Sequence, residues 1–264
     1  GRYFTWVADD DLYLPEFLES VYRTLIKYSF PECVFTSFNI SNKVMPSSES
    51  DNITYWDALL SGNEFLRLYC KGKIKAISVM GLFERKALNK IGGMEDISGD
   101  GNCLFSEYML FVKSGMLDKV AYINRPLVLY RVHDQSWGNS TIELKTCRSG
   151  AKNLSDRCIV ILKNRRFKNH FYDYLYFILK TVILENLAIM SRRKSLGDKA
   201  FKKIAGYLIS ARGYIDTLKG SQLYLIGLIA LIHAEISIGL FLSGSLIRKR
   251  LRRDCQLKSD QNEF

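Results

Sequence analysis

The stretch that decides the fold is VADDDLYLP, residues 7–15. Three adjacent carboxylates, Asp9, Asp10 and Asp11, stand between the apolar run YFTWVA (3–8) and the proline. A short aromatic and β-branched run is typical of a buried strand, and Pro15 opens a segment with helical spacing over residues 16–28. The order strand, acidic turn, helix therefore predicts an α/β arrangement with the carboxylates at the end of a strand.

Like charges repel, so three adjacent carboxylates need an explanation. Part of it is structural, because Asp near a helix start is stabilised by free N–H groups and by the helix dipole. A metal explains the rest. Alternate carboxylates of an extended segment lie on one side, and a hard divalent cation takes one or two carboxylates plus phosphate oxygens. A cation site and a solvated turn both stay open at this point.

Strand and helix patterns alternate over the first 140 residues, and basic helix-like segments follow. The predicted strands are 3–8, 33–40, 119–124 and 125–133; the predicted helices are 16–28, 56–70 and 105–115; residues 76–88 read as a strand running into a helix. We therefore predict a mixed α/β domain over residues 1–140. A basic, mostly α-helical region is predicted over residues 141–264.

The excess of positive charge is confined to the second part of the chain. Residues 1–150 hold 17 Lys and Arg against 18 Asp and Glu, whereas residues 151–264 hold 21 against 9. Such a surplus favours an anionic partner. Nucleic acid is disfavoured, because the cations are interleaved with aliphatic runs and not with stacking aromatics. An anionic membrane surface is therefore the predicted partner.

The apolar segment 223–247 is long enough to span a bilayer and is followed by RKRLRR (248–253). It also contains His233 and Glu235, which weaken the case for spanning. We predict a membrane-associated helix or helical hairpin, and a pair of core helices is the alternative.

The six cysteines show no C-x-x-C pair, so neither a zinc site nor a disulfide framework is indicated. Reduced thiols and a cytoplasmic location are expected. P-loop, H-E-x-x-H and G-x-S-x-G motifs do not occur in the sequence. Since the first residues read as the middle of a strand, we expect that the whole protein has a further N-terminal portion.

Two other segments carry candidate chemistry. The loop IGGMEDISGDGN (91–102) and the helix after it supply the carboxylates Glu95, Asp96, Asp100 and Glu107. Partial burial at the start of an apolar helix would raise the pKa of Glu107 and suit it to general-base chemistry, although a plain first-turn carboxylate is the alternative. In YRVHDQSW (130–137), Arg131 and His133 alternate to one side and are suited to an anionic ligand.

Taken in order, four motifs resemble the family 2 glycosyltransferases, inverting enzymes of the GT-A fold that build bacterial surface polysaccharide and lipopolysaccharide. The matching segments are GRYFTWVADDDLYLPEFLE (1–19) for the strand and D-x-D motif, FERKALNKIGGM (83–94) for the acceptor loop, FSEYML (105–110) for the E-D-Y-type helix start, and KVAYINRPLVLYRVHDQSW (119–137) for the closing strand and R-x-H segment. The resemblance covers residues 1–140. It implies the C-terminal part of a GT-A domain, a Rossmann-like fold with a mixed sheet.

The resemblance also implies roles for single residues. Asp9 and Asp11 would hold Mn or Mg on the diphosphate of a nucleotide-sugar donor, and Glu107 would deprotonate the acceptor hydroxyl. Contacts with donor or acceptor are implied for Asp10, Gly92, Gly93, Asp100, Arg131, His133 and Trp137. The acceptor would be a saccharide or a lipid-linked sugar at the inner face of the cell membrane. If the polypeptide begins at Gly1, the family's nucleotide-binding strands are missing and we expect no activity.

Two other functions fit the residues. The carboxylates suit a metal-dependent phosphoryl-transfer enzyme, and the basic helices suit a non-catalytic membrane-binding module whose acidic cluster is structural.

Overall fold

The sheet is ordered around its longest strand. The structure, a computed structural model, describes residues 1–41, 55–99, 101, 103–131, 144–192, 212, 224–233 and 236. Its elements are β1 (Tyr3–Phe4), β2 (Leu12–Tyr13), α1 (Phe17–Lys27), β3 (Cys33–Ser41), β4 (Asp57–Leu60), α2 (Gly62–Cys70), β5 (Leu82–Glu84), α3 (Arg85–Lys90), α4 (Ser106–Ser114), β6 (Val120–Arg131), α5 (Leu144–Leu162) and α6 (Phe171–Arg192). Two 3₁₀ helices cover Ser78–Met80 and Arg165–His170.

The sheet is mixed, with the strand order β1-β5-β3-β6-β2 and with β4 also paired to β6. The pair β3 and β6 is parallel, from Cys33 opposite Val120 to Ser41 opposite Arg131. All other pairs of this sheet are antiparallel. The mixed α/β class predicted from the sequence is confirmed.

An irregularity at Pro126 divides β6 into two halves. The β3 register passes from Thr36 opposite Ile123 to Ser37 opposite Pro126, so two residues of β6 are skipped. Proline cannot donate to a ladder hydrogen bond, which is why it is found at bulges in paired strands. On the outer edge of β6, β4 pairs with the first half and β2 with the second. The bulge thus lets one strand hold two short partners.

Helices cover both faces of the sheet. Alternate residues of a strand point to opposite faces, so Phe35 enters one cluster and Val34 the other. The smaller cluster lies under α1, whose Phe17, Val21 and Leu25 are buried. The larger one gathers side chains from α2, α3, α4, α5 and α6, and at its centre the rings of Phe35 and Phe65 stack with centroids 4.5 Å apart.

Several predicted elements are confirmed. The helix expected over 16–28 is α1, the strand over 33–40 is β3, and the helix over 105–115 is α4. The two extended runs over 119–133 form the single strand β6 as far as Arg131.

The helix predicted over 56–70 is wrong in its first third, which is the strand β4. Pairing with β6 overrides the local helical spacing there. Helix α2 begins only after Ser61, whose Oγ accepts the Glu64 N–H at 3.2 Å and caps the helix. Gly62 is required at the next position, because a β-carbon would collide with the carbonyl oxygens of Ser114 and Leu117.

The strand predicted over 3–8 extends only over Tyr3–Phe4, and β2 was not predicted. Both are two-residue strands that pair with distant segments, β1 with β5 and β2 with β6. A period of two residues cannot be recognised in so short a stretch.

The described residues after 143 are helical, as predicted. Helices α5 and α6 pack on the larger cluster through Leu154, Cys158, Tyr174 and Ile178. The predicted boundary at 140 lies outside the described residues. Of the segment 223–247, residues 224–233 form helix and bury Ala230 and Leu231. Within the described ranges, the search for a helix long and apolar enough to cross a membrane finds none.

We expect Leu110→Ala to lower the free energy of unfolding by roughly 2–5 kcal/mol, because this α4 side chain is 0% exposed in the larger cluster. Leu18→Ala is the matched control, since the same truncation in α1 affects a side chain that is 72% exposed. It is expected to change the value by less than about 0.5 kcal/mol. Urea unfolding followed by circular dichroism measures the free energy of unfolding of both variants. Equal losses in the two variants would contradict the placement of Leu110 in the core.

Candidate functional site

The acidic turn lies at the carboxyl end of the parallel strand pair. Asp11 directly precedes β2, which runs antiparallel to β6 with Leu12 opposite Leu129. The backbone N–H of Arg131 donates to Asp11 Oδ1 at 2.9 Å. Ser41 at the end of β3 is opposite Arg131 in turn. Ligands of open α/β sheets bind outside the carboxyl ends of parallel strands, so this edge is the candidate site.

The three carboxylates of the turn differ in exposure. Asp9 is exposed, Asp10 is half-buried, and Asp11 is buried at 9% exposure. Asp9 and Asp10 form a bend and not an extended strand end, so the expected strand alternation is wrong here. The reason is that β1 ends at Phe4 and the chain must turn before it enters β2.

The backbone around the acidic turn is fixed by aromatic side chains. The hydroxyl of Tyr13 donates to the carbonyl oxygen of Trp6 at 2.9 Å, which closes the loop between β1 and β2. Trp6 in turn packs edge to face on Phe4 and Phe83, with ring centroids 4.7 and 6.1 Å apart. Burial raises the pKa of Tyr13, and the nearby Asp11 carboxylate raises it further. The hydroxyl therefore stays protonated and keeps this hydrogen bond at neutral pH.

The carboxylate oxygens of the turn are suited to bind a hard divalent cation. Carboxylate oxygens are the ligands that Mg²⁺ and Mn²⁺ prefer, and a cation shared with a diphosphate needs only one or two of them. Asp11 supplies a buried carboxylate whose position is set by the Arg131 N–H. A search of the described residues finds no group of three or more His, Cys, Asp or Glu that could hold a metal ion by themselves.

The glycine-rich loop before α4 is folded around Asp96. Its Oδ1 accepts the Ser98 hydroxyl at 2.8 Å and the Gly99 N–H at 2.9 Å, and its Oδ2 accepts the Gly101 N–H at 2.7 Å. The hydrogen bond from Gly101, followed by that from Ser98, lowers the pKa of Asp96 below its ordinary value. Gly99 and Gly101 have φ angles of +75° and +79°, which L side chains rarely adopt. Asp96 is therefore an organiser of the loop.

Gly92 and Gly93 end helix α3. The Gly93 N–H bonds to Leu88 O and the Gly92 N–H to Asn89 O, which is the pattern of a Schellman cap. Gly92, at φ +78°, is the left-handed residue that this cap requires. The helix cap therefore explains why glycines occupy these two positions. The ligand contact predicted for them stays a prediction.

A buried lysine, which the sequence reasoning missed, holds this loop to the helices. Lys113 in α4 is 5% exposed, and its Nζ donates to Gly92 O at 3.1 Å and to Gly93 O at 2.9 Å. It also pairs with Glu95, whose other oxygen pairs with Arg157 of α5. Burial lowers the pKa of Lys113. The signal in the sequence was a single Lys within the apolar helix pattern FSEYMLFVKSG.

Glu107 lies in the first turn of α4, as predicted, but its side chain is exposed. The expected partial burial is wrong, because the buried side of this turn is formed by Ser106 and by Phe105 before it. Phe105 is held at φ +66° and turns the loop into the helix. The assignment of Glu107 as base stays a prediction.

Asp11 and Arg131 are thus brought together, whereas Gly92 and Gly93 gather around Lys113. Three predicted site residues, Asp100, His133 and Trp137, lie outside the described residues.

Comparison with known proteins adds no relative: no family model matches the chain, and no curated protein matches it.

We expect Asp96→Asn to lower the thermal unfolding midpoint at pH 7 and to have a smaller effect at about pH 3. A carboxyl whose pKa is depressed in the folded state stabilises the fold above its unfolded pKa of about 3.9, and this contribution is lost as the pH falls through the folded pKa. Differential scanning calorimetry at both pH values measures the effect. Asp9→Asn, at the exposed end of the acidic turn, is the control and is expected to lower neither midpoint. A loss for Asp96→Asn that is equal at both pH values would contradict the role assigned to Asp96.

Proposed function

We propose that the protein is an inverting, metal-dependent glycosyltransferase of GT-A type that moves a sugar from a nucleotide-sugar donor to a saccharide or lipid-linked acceptor. One observation carries the proposal: the Arg131 N–H binds the buried carboxylate of Asp11 across 120 positions of sequence. The acidic turn therefore meets Arg131, which begins the R-x-H segment, at the carboxyl edge of the parallel strands, and both motifs belong to the resemblance.

The acidic turn would serve the donor. Asp11, supported by Asp9 and Asp10, would hold Mn or Mg; when bound, the cation neutralises charge that develops on the departing nucleotide diphosphate. The burial of Asp11 supports its assignment as the direct ligand over the exposed Asp9. The Arg131 side chain, half-buried at the same edge, is suited to the phosphate oxygens.

Glu107 would serve the acceptor. Only five residues separate α4 from β6, and so short a connection favours a helix antiparallel to the strand. The first turn of α4 would then point toward the end of the sheet at which Asp11 lies. In this role the Glu107 carboxylate would take the proton of an acceptor hydroxyl, which attacks the anomeric carbon opposite the nucleotide and inverts its configuration.

A membrane location is part of the proposal, and a cationic turn over residues 163–170 supports it. Lys163, Arg165 and Lys168 are exposed there and form no ion pair within the described ranges. The turn itself is rigidly held, because Phe167 is fully buried and Arg166 binds the Leu117 carbonyl and the Asp118 carboxylate. Each cation near anionic lipid contributes about 1 kcal/mol.

Transfer activity is expected to depend on Mn or Mg and to fall at least about a hundredfold in Asp11→Asn and in Glu107→Gln. A donor screen that measures release of nucleotide diphosphate, with chelator and with added Mn, tests this. Measuring sugar transfer and phosphoryl transfer in parallel separates the proposed enzyme from a phosphoryl-transfer enzyme.

Glu19→Gln is the control for Glu107→Gln, because Glu19 is an exposed first-turn carboxylate of α1. It is expected to leave transfer unchanged. A fully active Glu107→Gln enzyme would remove Glu107 as base. Mn²⁺ binding, followed by electron paramagnetic resonance, gives a readout without turnover: an unchanged affinity in Asp11→Asn would remove Asp11 as ligand.

The protein is expected to co-sediment with vesicles that contain anionic lipid at low salt, and Lys163→Ala, Arg165→Ala and Lys168→Ala together are expected to weaken this binding. Lys73→Ala, Lys75→Ala and Lys86→Ala remove the same charge from exposed positions after α2 and in α3 and serve as control. Equal losses in the two triple variants would contradict the cationic turn as the contact surface. Absence of binding to anionic vesicles would contradict the membrane location.

A further inference from the structure

A pocket of about 470 Å³ lies between the C-terminal end of α2 and the first half of α6. Aromatic side chains form much of its wall, namely Tyr69, Tyr176 and Phe177. Three cations line it as well, Arg67, Lys71 and Lys180. The candidate site described above uses none of these residues.

The walls of the pocket are fixed by packing. The ring of Tyr69 stacks on Phe111 with centroids 4.1 Å apart and meets the edge of Phe177 at 5.5 Å. The hydroxyl of Tyr174 donates to Asn63 Oδ1 at 2.6 Å and ties α6 to the start of α2. Tyr176 is hydrogen-bonded to Nδ1 of His233. A pocket with walls held in this way is pre-formed and loses little freedom when a ligand binds.

The end of α2 directs its cations to the pocket. The Gly72 N–H bonds to Tyr69 O and the Lys73 N–H to Leu68 O, so the helix ends in a Schellman cap with Gly72 at φ +64°. The chain turns sharply there, and Lys71 is left exposed at the rim. Lys180 stands on the opposite wall, with its Nζ 5.8 Å from the centroid of the Tyr176 ring.

Positive charge prevails in the pocket. Asp173 is the only carboxylate among the described residues that line it, and its Oδ2 lies 3.5 Å from Nδ1 of His170. Arg67 is paired with Glu64 at 3.5 Å, outside the lining. Lys71 and Lys180 form no ion pair in the part of the chain that the structure describes. Two ammonium groups are therefore available to an anionic ligand, and a carboxylate or a phosphate fits them.

We propose that this pocket binds an anionic saccharide, a sugar ring that carries a carboxylate or a phosphate. The apolar face of the ring packs on the wall of Tyr69, Tyr176 and Phe177, and the anionic group binds Lys71 and Lys180. The pocket is open at its rim, where Lys71 and Gly72 are exposed. This opening gives room for the rest of a longer saccharide. The site takes the acceptor of the transfer reaction; this last assignment alone rests on the proposed function.

Isothermal titration of the protein with glucuronic acid, glucose 6-phosphate, glucose and inorganic phosphate tests the proposal. The two charged sugars are expected to bind about tenfold or more tightly than either glucose or phosphate, since ring and charge both contribute. Binding of inorganic phosphate as tight as that of glucose 6-phosphate would overturn the role of the ring. Uridine monophosphate that binds tighter than both charged sugars, and that loses this binding in Lys71→Ala with Lys180→Ala, would overturn the saccharide assignment.

The variant Lys71→Ala with Lys180→Ala is expected to weaken binding of both charged sugars about tenfold or more and to leave the affinity for glucose unchanged. Lys86→Ala with Lys119→Ala is the matched control, with the same charge loss at exposed positions in α3 and before β6 and no expected effect on sugar binding. Equal weakening in both double variants would mean that net charge and not the pocket attracts the sugar, which overturns the site. Unfolding midpoints equal to that of the unmodified protein establish that the variants fold.

Failure of this site and failure of the proposed function give different results. If charged sugars bind in a way that depends on Lys71 and Lys180 but no donor supports transfer, the proposed glycosyltransferase function is contradicted and the proposed binding site stands. If transfer occurs but charged sugars do not bind in this way, the binding site is contradicted and the glycosyltransferase function stands.

Discussion

The parallel pairing of β3 with β6, with its interruption at Pro126, is the constraint on which the rest of the structure depends. On the outer edge of β6, β4 pairs before the irregularity and β2 pairs after it. Because β2 continues from the acidic turn, its pairing with the second half of β6 brings Asp11 to the carboxyl end of that strand.

A second constraint joins the loop before α4 to the helices behind it. The buried ammonium of Lys113 needs partners, since an unpaired charge inside a core costs several kcal/mol. Gly92 O, Gly93 O and Glu95 supply them, and Arg157 of α5 extends the network. The end of α3, the acidic loop, α4 and α5 are thereby held as one unit, with Asp96 ordering the loop between them.

The charged features lie at different ends of the sheet. The acidic turn is at the carboxyl end of β6, while the cationic turn is anchored through Arg166 to residues just before its amino end. Twelve strand residues separate the two ends, roughly 30–40 Å. A membrane bound at the cationic turn would therefore lie at the far end of the sheet from the proposed active site. A saccharide chain would bridge this distance more readily than the lipid itself, which agrees with a pocket for an anionic saccharide.

The sequence by itself determined the α/β class, the helices α1 and α4, the strands β3 and β6 and the acidic turn, because each has a local signature: a period of two or 3.6 residues, a proline at a helix start, or adjacent carboxylates. Pairing between distant segments decided the rest. The strand β4 replaced part of a predicted helix, β2 went unrecognised, Asp11 became buried while Asp9 stayed exposed, and Glu107 lost its expected burial. The roles of Lys113 and of the pocket between α2 and α6 arise only when separate helices meet, and no local pattern of residues records such a meeting.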